Sequence, residues 1–285
     1  MTKKIKLIAL DLDATLLDSR KKISPRNLAA LERARQMGVL MVPVTGRPAQ
    51  GLPQAVLDLP GLRYAVTSNG ATIRDWAEDR FLLEKHLTPE TALAVLDTCR
   101  DFDMVREVFR EGIGYLTQAD YEILRDRYAG TPMWEYVMGT RQVLPGSLED
   151  FLRADTRPVE ELFFLTGSIQ EKEALRERLS DLPEIGFADP FPNDLEVMAG
   201  DIDKGEAFLW LLDHLGIDPS ETLAMGDGGS DIPLLRAAGI GIAMGNALDY
   251  VKEAADDVTA YCDEDGVALA LEKYIFNDKQ KNPGT

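Results

Sequence analysis

The chain has 285 residues, 45% of them hydrophobic, enough to bury a sizeable core in one large or two medium domains. Its formal net charge is −18, from 49 acids against 31 bases. That balance argues against non-specific nucleic-acid binding, which relies on Lys and Arg to neutralise phosphates, but leaves a small phosphorylated substrate open, because a metal ion can carry positive charge locally.

Two cysteines, Cys99 and Cys262, lie far apart and offer neither a metal spacing nor a disulfide framework. No apolar stretch approaches the ~20 residues of a membrane span. Met1-Thr2-Lys3-Lys4 runs straight into a strand without a signal-peptide pattern. The expectation is a soluble, cytoplasmic protein, a monomer or weak dimer, with neither membrane nor nucleic acid as partner.

Residues 5–10 form an apolar run that reads as a buried parallel strand. Asp11-Leu12-Asp13-Ala14-Thr15-Leu16-Leu17-Asp18 follows it. Open α/β sheets place their chemistry outside the carboxyl ends of the strands, and residues two apart on an extended chain point the same way. Asp11 and Asp13 are therefore expected to face one small pocket. Two buried carboxylates side by side repel, and three arrangements would relieve them. A hard cation such as Mg²⁺ could neutralise both. One could stay protonated as an acid while the other attacks. Or the pair could be a helix cap and a turn residue without chemistry.

Ser24-Pro25 reads as a helix start, with apolar spacing through Leu28, Leu31 and Ala34 and a stop at Gly38. Residues 39–44 are a second buried strand, ending in Thr45-Gly46-Arg47-Pro48. Gly46 and Pro48 shape a strand-to-helix turn. Thr45 falls on the same edge as Asp11, and Arg47 is either a surface charge or a substrate contact. Residues 64–67 are a third strand, followed by Ser68-Asn69-Gly70-Ala71, where an Asn-Gly pair often marks only a turn.

From about Leu83 the texture changes. Thr88-Pro89-Glu90 opens an amphipathic helix to residue 102, and residues 105–109 and 114–116 pair around Glu111-Gly112. A helix over 119–128 precedes a break at Gly130-Thr131-Pro132. Helices follow over 147–154 and 169–182, with strands over 161–166, 186–189 and 195–198. Hairpin strands backed by helices describe an α+β insert, not a continuation of a parallel sheet. Trp134, Tyr136 and Phe191 are read as core or rim packing.

The core resumes at Ala199-Gly200-Asp201-Ile202-Asp203-Lys204-Gly205, with Asp203 as cap for a helix over 204–215. A lysine at a helix N-terminus is electrostatically poor, so Lys204 and the helix end together suit a bound phosphoryl group. A strand over 222–225 ends in Gly226-Asp227-Gly228-Gly229-Ser230-Asp231, which puts Asp227 on the same edge as Asp11. A flexible turn does not explain two acids at that spacing. A helix over 232–238, a strand over 240–243, a turn at Met244-Gly245-Asn246-Ala247, a helix over 249–255, a short strand over 257–260 and a last helix from Asp265 complete the pattern. Residues 277–285 are polar and expected to fray. His86 and His214 show no ligand spacing.

The run from Asp11 resembles the first motif of the haloacid dehalogenase (HAD) superfamily of phosphohydrolases, usually Asp-x-Asp-Gly-Thr-Leu-Leu, with Ala14 where Gly is usual. The resemblance implies that Asp11 is the nucleophile forming an aspartyl-phosphate and Asp13 the proton donor to the leaving group. A carboxylate nucleophile fits such chemistry, splitting one hard displacement into two easier ones. Thr45 and Lys204 match the second and third motifs, which hold the phosphoryl oxygens. Asp227 and Asp231 match the fourth, usually Gly-Asp-x-x-Asn-Asp, with Ser230 in place of Asn. Ser keeps a hydroxyl but loses the amide fork. Asn-Gly-Ala segments such as that of Asn69 occur in the Cof-type (subclass IIB) branch.

The fold implied by the resemblance is an α/β, Rossmann-like parallel-sheet core over 1–83 and 196–285, split by an α+β cap over 84–195 that selects the substrate. The resemblance also implies Mg²⁺ held by Asp11, the backbone carbonyl of Asp13, and Asp227, with Asp231 supporting or joining them. Substrate contacts fall to Thr45, Arg47, Asn69, Lys204 and Ser230. The implied activity is hydrolysis of a small phosphorylated metabolite. A phosphomutase would share every motif, and a non-catalytic phosphate-binding protein is the third reading.

Overall fold

The computed structural model describes residues 4–189, 192–200 and 203–276, except the side chains of Pro132, Met133, Tyr136 and Met138. Phe191, the side chain of Tyr136 and residues 277–285, each given an expectation above, lie outside the described residues. The chain divides into two compact units. The first takes Met1–Thr45, Pro53–Leu82 and Lys204–Thr285, and the second Gly46–Leu52 and Leu83–Asp203.

The first unit begins with β1 (Leu7–Leu10), whose four apolar side chains are all buried, as befits a central parallel strand. The helix Pro25–Gln36 starts as its sequence requires: the Ser24 hydroxyl accepts from the Asn27 N–H, and proline occupies the first turn. β2 (Leu40–Pro43) runs parallel to β1, and Val44 forms an isolated parallel bridge to Val66 in β3 (Tyr64–Thr67). β3 then pairs antiparallel with β4 (Thr72–Asp75), and β5 (Arg80–Glu84) completes a three-stranded sheet. This hairpin was not expected. Its charged stretch, Arg74-Asp75 to Asp79-Arg80, hides the strand alternation, and the Arg63–Asp75 ion pair at 2.9 Å ties it to the start of β3.

The second unit is built on a six-stranded sheet in the order β10-β11-β9-β6-β7-β8. The strands are β6 (Val105–Arg110), β7 (Ile113–Leu116), β8 (Arg141–Val143), β9 (Glu161–Leu165), β10 (Ile185–Ala188) and β11 (Asp194–Ala199). All the pairings are antiparallel except β7 with β8. The β6–β7 hairpin turns at Glu111-Gly112, as expected. On one face Val108, Leu162, Phe164, Leu195 and Val197 pack against the helices Pro89–Thr98, Leu148–Ala154 and Ile169–Leu179. On the other, Val105, Leu116 and Leu165 pack with Leu124 and Val137 of the helices Gln118–Tyr128 and Pro132–Thr140. The expected break at Gly130-Thr131-Pro132 separates these two helices; the second of them and β8 were not expected, since a proline in the first turn starts a helix as readily as it ends one.

The expected boundary at 195/196 also moves. It would cut β11, which is paired with both β9 and β10, so the second unit runs to Asp203. The second face of its sheet carries much buried charge. Glu107 and Glu196 lie in one row opposite Phe163, with Glu161 opposite Phe109 and Asp194 opposite Leu165. Arg141 Nε donates to Glu107 Oε2 at 2.8 Å.

The first unit resumes with the helix Lys204–Leu215 and closes with β12 (Thr222–Gly226), β13 (Ile240–Ala243) and β14 (Asp257–Val258). Its parallel sheet has the order β14-β13-β12-β1-β2, with β1 between β12 and β2. Asp11 and Asp227 thus follow adjacent parallel strands at one edge. Among the described residues, no helix is long and apolar enough to cross a membrane.

Candidate active site

Asp11 leaves β1 with its N–H donated to Met225 O at 3.0 Å, so the end of β12 fixes where its carboxylate starts. That carboxylate is buried, at 6% exposure, and accepts from Lys204 Nζ at 2.9 Å. The same ammonium donates to Asp231 Oδ1 at 2.6 Å. Lys204 is the first residue of its helix and is itself buried. Gly205 beside it permits the close packing: an added Cβ would lie 2.6 Å from Pro233 O.

The other acids come from the loop after β12. Asp231 Oδ2 accepts from the N–H groups of Asp227 at 3.0 Å and Gly228 at 2.9 Å, a turn that folds the carboxylate back over its own loop. Gly226 makes room for it, since a Cβ there would lie 2.5 Å from the Asp231 Cγ. Asp227 Oδ1 accepts from the Thr15 hydroxyl at 3.0 Å. Asp11, Asp227 and Asp231 each offer an oxygen within 4.8 Å of the others. Three ionised carboxylates against one ammonium would leave two negative charges, which suits one divalent cation. Oxygen donors of this kind favour a hard ion. The hydrogen bonds leave Asp11 Oδ2 and Asp227 Oδ2 as the better-placed donors, while both Asp231 oxygens are engaged in orienting Lys204 and the loop.

The electrostatics follow from that crowding. Burial, then the Asp231 charge, pushes the Asp11 carboxyl well above its usual range, although Lys204 pulls it down. Burial and Asp231 likewise raise Asp227 to about 7, against the Thr15 hydrogen bond. For Lys204, burial alone would lower the pKa, but Asp11 and Asp231 raise it above its usual value. The lysine is therefore a fixed cation.

Other expected residues are distributed differently. Asp13 does not join the three-acid group. Its carboxylate is half-buried and accepts from Lys21 Nζ at 2.7 Å, while its charge still bears on Asp11 and Asp227. β1 ends at Leu10, so strand alternation no longer sets the direction of Asp13, and the chain turns sharply just beyond it at Ala14 (φ 59°). Thr45 is buried at the end of β2, and its carbonyl accepts from the Asn69 N–H at 3.1 Å, bringing these two together. Asn69 is in a left-handed conformation at φ 50°. Ser230 sits partly buried in the turn Gly229–Asp231. Arg47 belongs to the second unit, where its Nη1 donates to Gly51 O at 3.2 Å. Lys204 serves two carboxylates as well as the helix end, which sequence spacing did not show. Three site residues were missed. Thr15 was signalled by its place two residues beyond Asp13, Asn246 by its place after β13 on the same edge, and Lys21 carried no signal.

Residues 8–271 match the haloacid dehalogenase-like hydrolases. The chain belongs to this family. It is 30% identical over 288 residues to the phosphatase YwpJ of Bacillus subtilis, covering 95% of this chain and 100% of that one. It is 29% identical over 277 residues to the 5-amino-6-(5-phospho-D-ribitylamino)uracil phosphatase YcsE of the same organism, covering 95% and 96%. A solved structure, the HAD subclass IIB sugar phosphatase BT4131, superposes with a TM-score of 0.80 at 26% identity, covering 94% of this chain and 98% of that one. The chain is thus a HAD-type phosphatase of the Cof-type branch, a phosphoric monoester hydrolase with a parallel-sheet core. HAD phosphatases generally use a divalent metal, and the buried acids fit one.

Proposed function

We propose that the protein is a Mg²⁺-dependent phosphatase that hydrolyses a small phosphorylated metabolite, a sugar phosphate or a phosphorylated cofactor, through an aspartyl-phosphate on Asp11. The observation that carries this is Lys204, which bridges Asp11 and Asp231 within a group of three acids whose oxygens lie within 4.8 Å of one another. The relatives' substrates, a phosphoribityl compound and sugar phosphates, support the substrate class.

In this reading an Asp11 oxygen attacks phosphorus in line, forming the Asp11–phosphorus bond as the bond to the leaving oxygen breaks. Asp13, in its protonated form, gives its proton to that oxygen. Asp13 then takes a proton from water, whose oxygen attacks phosphorus and returns Asp11 as a carboxylate. Lys204 and the Thr45 hydroxyl hold phosphoryl oxygens and spread their charge, the main term in phosphoryl transfer. Mg²⁺ would be held by Asp11, the Asp13 carbonyl and Asp227, oriented by Asp231, and would supply Lewis-acid stabilisation of the phosphoryl oxygens. Asn69 and Ser230 complete the substrate side in the first unit. The second unit, with Arg47, sets substrate choice.

Phosphate release from a panel of phosphorylated sugars and cofactors, with Mg²⁺ and with EDTA, tests this. The expected outcome is metal-dependent release that favours a few substrates. Isomerised sugar phosphate without release identifies a mutase, and binding without turnover identifies a phosphate-binding protein; either result contradicts the proposal.

A further inference from the structure

The loop after β13 does more than connect. Met244 N–H donates to Gly226 O at 3.0 Å, at the end of β12, and Gly245 N–H donates to Ala260 O at 3.0 Å, beyond β14. Just beyond these straps the Asn246 side chain spans two further loops. Its Nδ2 donates to Ala14 O at 2.8 Å, and its Oδ1 accepts from Cys262 N–H at 2.9 Å. One planar amide thus ties the turn after β1 to the segment after β14, from a loop already fixed to β12.

The atom it holds matters. Ala14 is a non-glycine residue at φ 59°, a conformation that an alanine leaves unless its surroundings enforce it. Downstream, Leu16 N–H reaches Asp11 O at 3.3 Å and Leu17 N–H reaches Leu12 O at 2.8 Å. Upstream of Ala14 is Asp13. Downstream is Thr15, whose hydroxyl orients Asp227 at 3.0 Å. The Ala14 carbonyl is the pivot between these two groups.

We propose that Asn246 is a positioning residue for phosphoryl transfer. It holds Ala14 in its left-handed turn and thereby sets Asp13 on one side and the Thr15–Asp227 pair on the other. The inference rests on the proposed function. The chemistry selects an amide, since the position needs a donor towards a carbonyl and an acceptor towards an N–H at once. Asp in its place would keep the acceptor and turn a carboxylate towards the Ala14 carbonyl. Leu would keep the bulk and lose both bonds.

The experiment uses the full chain carrying Asn246→Asp or Asn246→Leu, each alone and combined with Ala14→Gly. Kinetics are measured with nitrophenyl phosphate at saturating Mg²⁺. Amide exchange of the peptide spanning residues 11–18 is measured without metal. Losses at residues that orient a site's ligands are typically about 10–100-fold. The expected result is a kcat drop of that order with KM nearly unchanged, faster exchange in the 11–18 peptide, and partial recovery of kcat when glycine, which adopts the left-handed turn unaided, replaces Ala14. Faster exchange with unchanged kcat overturns the proposal, leaving a structural contact. So does a kcat loss that Ala14→Gly fails to recover. A wild-type chain inactive on every phosphomonoester sinks the proposed function instead. In that case unchanged exchange still overturns the hold on Ala14, and faster exchange supports it.

Discussion

Each unit buries a group of acids with one cation, and the two groups are built differently. In the first, Lys204 bonds two carboxylates, Thr15 bonds a third, and two backbone N–H groups cap Asp231. In the second, Arg141 Nε bonds Glu107 at 2.8 Å, while Glu107 Oε1, Glu161 Oε2 and Asp194 Oδ1 are buried without a hydrogen-bond partner among the described residues. Burial raises all three acids, joined at Glu161 by the charge of Glu196, and lifts Asp194 to about 6. Glu160, at the start of β9, is raised by burial to about 7. The first group is a network with its charge positioned for use. Burial pushes acids of both groups towards their neutral form, and the second leaves three carboxyl oxygens without a hydrogen-bond partner among the described residues. Buried acid alone therefore does not mark a site; hydrogen bonds that orient each carboxylate do.

The largest effect should come from unbalancing the first group. Lys204→Met leaves Asp11 and Asp231 buried without their cation. Breaking a buried pair typically costs about 3–5 kcal/mol. Urea denaturation in metal-free buffer should show a loss of that size, together with the disappearance of turnover. Unchanged stability would mean that the acids of the first group are as proton-buffered as those of the second.

The second group should instead show itself through pH. An acid whose folded pKa is raised contributes stability that is fully present below its unfolded pKa and is lost as pH rises through the folded one. For Glu160 that window runs from 4.5 to about 7, and for Asp194 from 3.8 to about 6. The chain should therefore lose stability between about pH 4 and pH 7. Glu161→Gln should make the decline shallower, because an amide needs no proton to be neutral. Denaturation midpoints across that range check this; a slope identical to wild type would contradict the assignment. Comparing variant with wild type cancels the contribution of Asp11 and Asp227, which titrate in both.

The smallest effect concerns the turn at Ala14. A non-glycine residue in the left-handed region costs about 1–2 kcal/mol, and glycine loses back roughly 0.5–1 kcal/mol in backbone entropy. Ala14→Gly should raise the unfolding midpoint slightly. A lowered midpoint would show that the turn is not strained.

Much of this was legible in the sequence because the informative residues sit at strand ends. Apolar runs located β1, β2, β12 and β13, and the acids and Thr45 follow them directly. Three kinds of information were hidden. Asp13 stays outside the three-acid group that Asp11 joins: β1 stops at Leu10, and alternation holds only while a strand continues. Lys204 pairs with acids 193 and 27 residues away, a contact that no local spacing encodes. The β4–β5 hairpin and the helix Pro132–Thr140 are written in charged or proline-led stretches that also suit loops. The buried acids of β6, β9 and β11 read as solvent-facing alternation until the helices Gln118–Tyr128 and Pro132–Thr140 are placed on that face.

The central claim is that Asp11 carries the phosphoryl group. Rapid acid quench of the wild-type chain with a radiolabelled phosphomonoester and Mg²⁺ should trap label on protein, stable in acid and lost in base, in the peptide containing Asp11. Asp11→Asn, with its fold verified by circular dichroism, should carry no label and release no phosphate. Label retained on another residue, or near-normal turnover by Asp11→Asn, would contradict the account.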